Sequence, residues 1–421
     1  MASPEALPAR GAVFWPVGTG DSTTLVVDES TVLQIDLHDL AKAQDEENPE
    51  VAVVDRLVDA LPTQDGKPYL ATFALTHADK DHCLGFADLL SKVQIGELWS
   101  TPRLWREFND PDAPEPCPDA VAFREESERR IEATMAAIAK GGQPASGDRI
   151  KVVGYDDEHS KQAYDELPDE YKSWPGKSIT KLDGRDYSDR FEAFIHAPFR
   201  EDCAAPRNET SLAMQVTLTD DTGTTGKLLL FGDLAHDTIM KIFEYSEHHD
   251  RANYLEWDLL LAPHHCSKKV MYKPDDSGND ELQLDIMDAF ERHKLESGVV
   301  IFSSGIVPAS DTPGANPPHR KAADRYAEIS DETICTMSWG DDKAPSPIIL
   351  GIDSMGARIV REIDISAASR LAAVTAAATS LASALPSPAH ATEDTTDPIE
   401  DAVISDRGGE RAPDQAVGFG Q

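Results

Sequence analysis

The 421-residue sequence predicts an α/β fold, and three observations support this prediction. In the first quarter of the chain, short apolar runs typical of buried strands alternate with segments of helical spacing. Further apolar runs, again separated by helical patterns, follow in the second half. The length and the ordinary 40% apolar content allow a sizeable buried core.

The first hundred residues show the alternation most clearly. Residues 11–27 alternate as strands do, around a turn marked by Gly18 and Gly20, and residues 31–35 are predicted to pair with them. The next predicted elements are a helix at 51–61, a strand at 69–75, a helix at 84–93 and a strand at 95–100.

Residues 102–189 interrupt this alternation and are predicted to form an insertion. It contains a Pro- and Asp-rich exposed loop at 109–119, a charged amphipathic helix at 122–140, a short strand at 147–153 and a polar stretch at 156–189. Beyond it, strands are predicted at 191–195, 211–218, 227–231, 258–261, 299–302 and 333–337, helices at 237–246 and 319–327, and a hairpin at 347–352 and 358–363.

The composition changes after residue 365, which divides the chain into a predicted domain at 1–365 and a tail at 366–421. The tail is Ala-rich at first, and from Pro386 onward it is poor in apolar residues and rich in Asp, Glu, Gly and Pro. This composition is typical of disordered segments. We therefore predict that the tail is dispensable for chemistry, although it could bind a protein partner.

Charge and cysteine usage constrain the partners and the compartment. Lys and Arg number 39 against 76 Asp and Glu, a net charge of −37, which argues against an anionic membrane or a nonspecific nucleic-acid coat as a partner of the whole surface. The five cysteines are scattered and never spaced as C-x-x-C, which favours a reducing cytoplasm. No apolar signal or membrane-spanning segment is apparent, so we expect a soluble, cytoplasmic protein without a membrane partner.

A cluster of histidine and aspartate follows the strand predicted at 69–75. His77, Asp79, Asp81 and His82 lie within six consecutive positions, at a turn between this strand and the next helix. Imidazole nitrogen and carboxylate oxygen are ligands for Zn, Mn and Fe(II), and a turn between rigid elements can hold them at bond lengths of roughly 2 Å. The pattern therefore predicts a metal site; the alternative is a polar loop with incidental His and Asp.

The stretch 76–85 (THADKDHCLG) resembles the metallo-β-lactamase superfamily signature H-x-H-x-D-H, with Asp79 in place of the second His. The resulting H-x-D-x-D-H pattern resembles the hydrolase domain of ComEC-type DNA-uptake channel proteins. Five further stretches agree in order and type: 17–22 (VGTGDS), 208–212 (NETSL), 230–233 (LFGD), 262–267 (APHHCS) and 316–319 (NPPH). The resemblance extends from residue 13 to about residue 363.

This resemblance implies a metallo-β-lactamase fold, an αββα sandwich of two mixed β-sheets flanked by helices. It also implies one or two divalent metal ions (Zn, Mn or Fe) and hydrolysis by metal-bound hydroxide. The implied metal ligands are His77, Asp79, Asp81, His82, Asp233 and one histidine of the pair His264 and His265, of which His264 is favoured, with Asp233 as a bridge between two ions. Asp81 would also steer the hydroxide, and His265 could orient His264 or transfer a proton, so both are candidate catalytic residues.

Substrate choice is expected in residues 102–189, which cover the active-site mouth in this family. The candidate substrate-binding residues are Asn208, Ser211, Ser267, Lys268 and His319. Asn208 occupies a region where many members supply another His, so the ligands are richer in oxygen, which favours Mn, Mg or Fe relative to Zn. Lys268, Lys269 and Lys273 suit an anionic substrate, with a solvated face as the alternative. His319 could be a late ligand, a substrate contact or a structural residue.

Four further residues have open interpretations. Asp21 either supports the metal ligands or caps a turn, and Cys266 stands where the family has Gly. His38 and His196 have no motif support and are interpreted as core or surface residues.

The resemblance and the lysines favour phosphodiester cleavage, by a nuclease or a small phosphodiesterase acting on a nucleic acid or nucleotide. The alternatives are a carboxylic ester, lactone or lactam hydrolase, and a catalytically degenerate scaffold that binds a partner protein.

Overall fold

The computed structural model describes residues 7–39, 51–109, 115–155, 162–200, 202, 207–341 and 343–361. The strands are β1 (Gly11–Phe14), β2 (Thr23–Asp28), β3 (Thr31–Ile35), β4 (Thr63–Gln64), β5 (Lys67–Ala74), β6 (Gln94–Ser100), β7 (Arg149–Val153), β8 (Lys172–Ser173), β9 (Ser178–Ile179), β10 (Lys181–Leu182), β11 (Arg185–Asp186), β12 (Phe191–Ala197), β13 (Ala213–Thr219), β14 (Thr225–Leu230), β15 (Trp257–Leu261), β16 (Tyr272–Pro274), β17 (Asp280–Leu282), β18 (Lys294–Phe302), β19 (Glu332–Cys335), β20 (Ile348–Asp353) and β21 (Gly356–Ile359). The helices are α1 (Val53–Ala60), α2 (Lys80–Cys83), α3 (Phe86–Lys92), α4 (Arg103–Asn109), α5 (Pro118–Ala139), α6 (His236–His248), α7 (Pro263–Cys266), α8 (Leu284–His293) and α9 (Arg320–Ile329).

Two mixed sheets organise these elements. The first has the order β21-β20-β1-β2-β3-β5-β6-β7-β8, with β4 paired to β5. Within it, β3, β5, β6, β7 and β8 run parallel to one another. The second has the order β19-β18-β15-β14-β13-β12-β9, with β14, β15, β18 and β19 parallel. Parallel neighbours end at the same edge of their sheet, where ligands bind in open α/β folds.

The buried side chains show that the sheets are stacked and covered by helices. One apolar cluster joins the facing sides of both sheets, for example Phe14 and Leu25 from the first and Met214 and Leu228 from the second. A second cluster packs the other side of the first sheet against α1, α3 and α5. A third packs the other side of the second sheet against α6, α8 and α9. The layers are therefore helix, sheet, sheet and helix, which confirms the predicted αββα sandwich.

The apolar runs in the sequence arise because these strands are buried on both faces. In β14, Leu228 and Leu230 belong to the cluster between the sheets, whereas Leu229 belongs to the cluster under the outer helices. A strand covered on both faces loses the alternation of polar and apolar residues and becomes a continuous apolar run.

Most predicted elements have counterparts in the structure, with some differences. The loop predicted at 109–119 ends earlier than expected, because α5 already begins at Pro118. Proline is favourable there, since the first residue of a helix needs no N–H donor. Helices α4 and α8 were missed, and β18 begins at Lys294 rather than at residue 299. None of the helices in the described ranges is long and apolar enough to cross a bilayer. The predicted tail at 366–421 lies outside the described residues.

Candidate metal centre

The predicted ligands converge at one edge of the sandwich because several strands end there. The turn after β5 carries His77 and His82, and Asp233 follows β14 after two intervening residues. The histidine pair His264 and His265 lies in α7, directly beyond β15. A backbone hydrogen bond joins the loops after β14 and β15, in which the His264 N–H donates to Gly232 O at 2.9 Å.

Asp233 faces two separate groups of ligand atoms, one with each carboxylate oxygen. Its Oδ2 lies 3.7 Å from both His77 Nε2 and His264 Nε2, and Asp79 Oδ2 lies 3.5 Å from His77 Nε2. This first group contains two nitrogens and two oxygens.

The second group surrounds the other oxygen of Asp233. Asp233 Oδ1 lies 3.3 Å from His82 Nε2 and 3.4 Å from His265 Nε2, and the two nitrogens are 3.2 Å apart. Asp81 Oδ2 completes the group at 3.4 Å from His265 Nε2. Asp21, His82, Asp233 and His265 together offer ligand atoms that all lie within 4.8 Å of one another.

These spacings fit divalent metal ions. Two ligand atoms bound at about 2.1 Å to one tetrahedral ion are separated by roughly 3.4 Å, and the contacts given above, at 3.2–3.7 Å, are close to this value. A carboxylate that gives one oxygen to each group is the bridge required by a two-metal site. The side chains present are therefore suited to hold one ion in each group.

The hydrogen bonds of the imidazoles support the same assignment. His82 Nδ1 donates to Asp36 Oδ2 at 2.8 Å, and His265 Nδ1 donates to Ser303 O at 3.1 Å, because a carbonyl can only accept. Each neutral ring therefore keeps its Nε2 lone pair for the centre.

His77 has the same orientation through a different partner. The Thr76 hydroxyl donates to Asp36 Oδ2 at 2.6 Å, so its oxygen is left to accept from His77 Nδ1 at 3.0 Å. His77 Nε2 is buried and has no hydrogen-bond partner among the described residues, although it lies among carboxylate oxygens. A buried imidazole nitrogen in this environment is typical of a metal ligand.

Asp36 is a candidate site residue that the sequence did not indicate. It is buried and accepts three hydrogen bonds, from the Thr76 N–H at 2.7 Å, the Thr76 hydroxyl and His82 Nδ1. Carboxylates that bind the outer nitrogen of a ligating histidine fix its tautomer and orientation. The available signal was a charged residue directly after the apolar strand β3.

Asp21 occupies a similar supporting position. Its Oδ1 lies 3.4 Å from His265 Nδ1, its Oδ2 lies 4.0 Å from His82 Nδ1, and its N–H donates to Asp81 O at 3.1 Å. These contacts are to the outer nitrogens, and Asp21 is also one of the four side chains whose ligand atoms lie within 4.8 Å of one another. The preceding residue, Gly20, cannot carry a side chain, because a Cβ there would lie 2.3 Å from His38 Nδ1.

The turn that carries the histidine pair has an unusual backbone. His264, His265 and Cys266 all adopt left-handed conformations, with φ of 51°, 54° and 64°. Each such non-glycine residue costs of order 1–3 kcal/mol and persists only where the surroundings hold it. The His319 N–H helps by donating to Cys266 O at 3.1 Å. This turn brings both imidazoles to the centre, one to each group around Asp233.

Charges within the cluster shift its pKa values. Burial lowers the pKa of His265, but the carboxylates of Asp233 and Asp21 outweigh burial and raise it to about 10. The pKa of His82 is raised in the same way, against burial, by Asp233 and Asp36. Burial raises the pKa of Asp233, but the neighbouring imidazoles hold it well below the usual value. In the absence of a metal ion, protons on His82 and His265 therefore balance the negative charge of the carboxylates.

The other predicted site residues lie around the turn rather than among the ligand atoms. Ser211 is buried, with Oγ 3.2 Å from His77 Nδ1, and accepts from the Asp233 N–H at 3.3 Å. Ser267 Oγ accepts from the Lys269 N–H at 3.3 Å. The backbone of Asn208 belongs to a short 3-10 helix, and its side chain is outside the described part of the structure.

His319 and two of the lysines contact other protein groups. His319 Nε2 donates to Ala315 O at 3.2 Å, and its Nδ1 accepts from the Lys268 N–H at 3.3 Å. Lys268 Nζ pairs with Asp280 at 2.7 Å, and Lys273 pairs with Asp237.

The two histidines without motif support, His38 and His196, are both buried. Burial lowers the pKa of each to about 4.

Comparison with known proteins finds distant structural likeness alone. No family model matches this chain, and neither does any curated protein. The solved structures that are similar include the metallo-β-lactamase MIM-1 from Novosphingobium pentaromativorans, at 14% identity over 61% of this chain and 76% of that chain, with a TM-score of 0.28. The metallo-β-lactamase SMB-1, in a complex with mercaptoacetic acid, shares 12% identity over 63% and 83% of the two chains, with a TM-score of 0.29. An archaeal metallo-β-lactamase superfamily protein from Sulfolobus tokodaii shares 10% identity over 77% and 97%, with a TM-score of 0.27.

Proposed function

We propose that this protein is a metal-dependent hydrolase of the metallo-β-lactamase superfamily, in the ComEC-like branch, that cleaves phosphodiesters. The observation that carries this proposal is the position of Asp233, whose two oxygens face two nitrogen- and oxygen-rich groups at 3.3–3.7 Å. When bound there, divalent cations supply Lewis acidity, which activates water at neutral pH and polarises the substrate oxygen.

The residues of the chain have separate roles in this proposal. The buried imidazoles of His77, His82 and His265 offer nitrogen ligands held by fixed outer partners. Asp81 is 36% exposed, so its carboxylate reaches the open side of the centre. Burial raises the pKa of Asp81, but the hydrogen bond with His265 and the charges of His82 and His265 together outweigh burial, and the net pKa is well below the usual value. Asp81 therefore stays ionised and can orient an attacking water by accepting its hydrogen bond.

Phosphodiesters are favoured as substrates by the H-x-D-x-D-H pattern and by local charge. Asp79 in place of an imidazole makes the first group richer in oxygen, and oxygen ligands suit Mn and Fe as well as Zn. Lys269 is exposed and close enough to His264 to contribute to lowering its pKa, after the larger effect of burial. Lys268 and Lys273 give less support than the sequence suggested, because their charges are paired with Asp280 and Asp237.

The test is a substrate panel with purified protein supplied with Mn or Zn. We expect turnover of bis-p-nitrophenyl phosphate and of single-stranded DNA, and an Asp233→Asn variant should lose most of it. Turnover of nitrocefin alone would instead identify a lactam hydrolase. Absence of bound metal from the wild type would favour the alternative of a protein-binding scaffold.

A further inference from the structure

A pocket opens at the ends of the strands that neighbour the candidate metal-binding turn in the first sheet. It has a volume of about 320 Å³, and its lining includes Pro102, Tyr155, Tyr164, Lys172, Trp174 and Arg200. Three aromatic rings and two cationic side chains therefore surround one cavity.

The strand order places this pocket on the same edge as the candidate metal centre. β5, which leads to His77, is followed in the sheet by β6, β7 and β8, all parallel to it. Pro102, Tyr155 and Trp174 each follow the end of one of these three strands. Because neighbouring strands are about 4.8 Å apart, β7 lies roughly 10 Å from β5.

The second sheet reaches the same pocket. β12 runs in the same direction as β14, since both are antiparallel to β13, so its end lies on the edge that carries Asp233. Gly154 packs against Pro198 just beyond β12, and a Cβ at Gly154 would lie 2.5 Å from Pro198 Cγ. Gly154 also has a φ of 118°, so this close approach depends on glycine.

Two of the rings stack on each other and could part to admit a flat guest. Tyr155 and Trp174 lie with centroids 6.2 Å apart and planes inclined by 28°. A direct offset-stacked pair has centroids about 4.5–7 Å apart, whereas a ring inserted between two others needs roughly 7 Å between their faces. Tyr155 is 37% exposed, so its ring can move outward by the small amount that insertion requires.

Two cationic side chains line the pocket in a chain of net charge −37. Lys172 Nζ donates to the carbonyl of Asp165 at 2.9 Å, an interaction with a neutral group that leaves the ammonium charge in place. Arg200 lines the same cavity. A ligand that combines a flat unsaturated ring with an anionic group matches both features.

We propose that this pocket binds the base of a nucleotide whose phosphodiester lies at the metal centre. This deepens the proposed function and rests on it for the position of the scissile bond. Binding in the pocket requires no turnover. The ring of the base would enter between Tyr155 and Trp174. Lys172 and Arg200 would then face the phosphate groups of the bound nucleotide.

The experiment measures binding of AMP and of ribose 5-phosphate, which lacks the base, to the metal-loaded full chain by calorimetry. We expect AMP to bind about tenfold more tightly than ribose 5-phosphate. Tyr155→Ala should weaken AMP binding about tenfold and change the Kd of ribose 5-phosphate less than twofold, since stacking is lost and the phosphate contacts remain. Tyr245→Ala, at another exposed tyrosine on α6, is the matched control and should bind both as the wild type does.

Tryptophan fluorescence gives a second readout, because AMP in the pocket should quench Trp174. Trp174→Phe keeps an aromatic face, so AMP should still bind while the quenching disappears. Equal affinity for AMP and ribose 5-phosphate, or a Tyr155→Ala variant with unchanged AMP affinity, would overturn the proposal.

The experiments distinguish failure of the pocket proposal from failure of the catalytic proposal. Binding of AMP that depends on Tyr155, without phosphodiester turnover, would support the pocket and refute the proposed function. Turnover of bis-p-nitrophenyl phosphate together with Tyr155-independent AMP binding would refute the pocket alone.

Discussion

His82 is the residue whose loss should most directly affect the second group of ligand atoms. Its Nε2 lies 3.3 Å from Asp233 Oδ1 and 3.2 Å from His265 Nε2. We predict that His82→Ala removes most of one metal ion per chain, because alanine offers no ligand atom. Elemental analysis of the purified variant beside the wild type measures this.

A suitable control for this variant is His293→Ala. His293 is also a buried histidine, but its Nε2 contacts Glu247 at 2.9 Å on the helical face, away from the ligand loops. This variant should keep the wild-type metal content. Equal metal loss in both variants would indicate a general folding defect rather than loss of a ligand.

Asp36 should influence metal affinity without offering a ligand atom of its own. Asp36→Asn retains the shape of the side chain but removes the charge that accepts from His82 Nδ1 and the Thr76 hydroxyl. We predict that metal affinity falls by about 10- to 100-fold, the usual cost of losing such an outer partner. Competition with a chelating dye gives the affinity. Asp28→Asn, at a partly exposed hairpin position, should leave it unchanged.

The sequence predicted the inner residues of this site better than the outer ones. His77 through His82 are adjacent in the chain, so their spacing alone indicates a shared site. Asp36 is 46 residues from His82, and the two meet only because β3 and β5 are neighbours in the sheet. The roles of His264 and His265 likewise depend on the left-handed turn, whose backbone no residue type in the sequence announces.

The same limit applies to whole elements. Several of the parallel strands were predicted because they contain continuous apolar runs, as at Leu259–Leu261 of β15. Strands of two or three residues, such as β8 and β16, carry too few side chains for a periodic signal. Helix α8 has an apolar face formed by Ile286, Met287 and Phe290, and that pattern was available in the sequence but was not assigned.

β12 carries a buried histidine that should make the second sheet sensitive to acid. His196 Nε2 donates to Tyr254 O at 2.9 Å, and burial lowers the pKa of His196 to about 4. Below about pH 6.5 the unfolded chain binds a proton here and the folded chain does not, so stability falls as pH decreases toward 4. The maximum loss is about 3 kcal/mol, at about 1.4 kcal/mol per pH unit.

We therefore predict that His196→Gln, which cannot take up this proton, reduces the loss of stability between pH 6.5 and pH 4. Urea unfolding at several pH values gives the two slopes. His249→Gln, at an exposed position after α6, should retain the wild-type slope. Parallel curves for the wild type and His196→Gln would show that the buried ring does not contribute to acid sensitivity.

The candidate metal centre lies where the two sheets meet, so metal binding should stabilise the whole sandwich. Asp36 and His77 come from the first sheet, and Asp233 and His265 from the second. A metal ion present at 100 times its Kd adds about 2.7 kcal/mol to the free energy of unfolding if the unfolded chain does not bind it. We predict that a chelator lowers the thermal midpoint of the wild type. The shift should be smaller in His82→Ala, and an equal shift in both would place the stabilising ion elsewhere.

The pH dependence of metal binding follows from the charges of the centre. In the metal-free protein the pKa of His265 is raised to about 10, so at pH 7 its imidazole carries a proton that a metal ion must displace. Metal affinity should therefore increase as pH rises toward 10. Calorimetric titrations in buffers of different ionisation enthalpy measure the protons released, and a release of zero at pH 7 would contradict the assignment of His265 as a ligand.

The strands and loops that carry the candidate centre all lie before residue 362, and the Ala-rich and acidic segment follows them in the chain. Residues 386–421 are poor in apolar side chains, and ordering a residue costs roughly 1–2 kcal/mol that such a composition offsets poorly. We predict that a chain ending at Ser366 keeps its metal content and its kcat/KM on bis-p-nitrophenyl phosphate. A decrease of more than about tenfold, equivalent to about 1.4 kcal/mol in the barrier, would mean that the segment contributes to the site. If turnover is kept but a protein partner captured by the full chain is lost, the segment serves binding rather than chemistry.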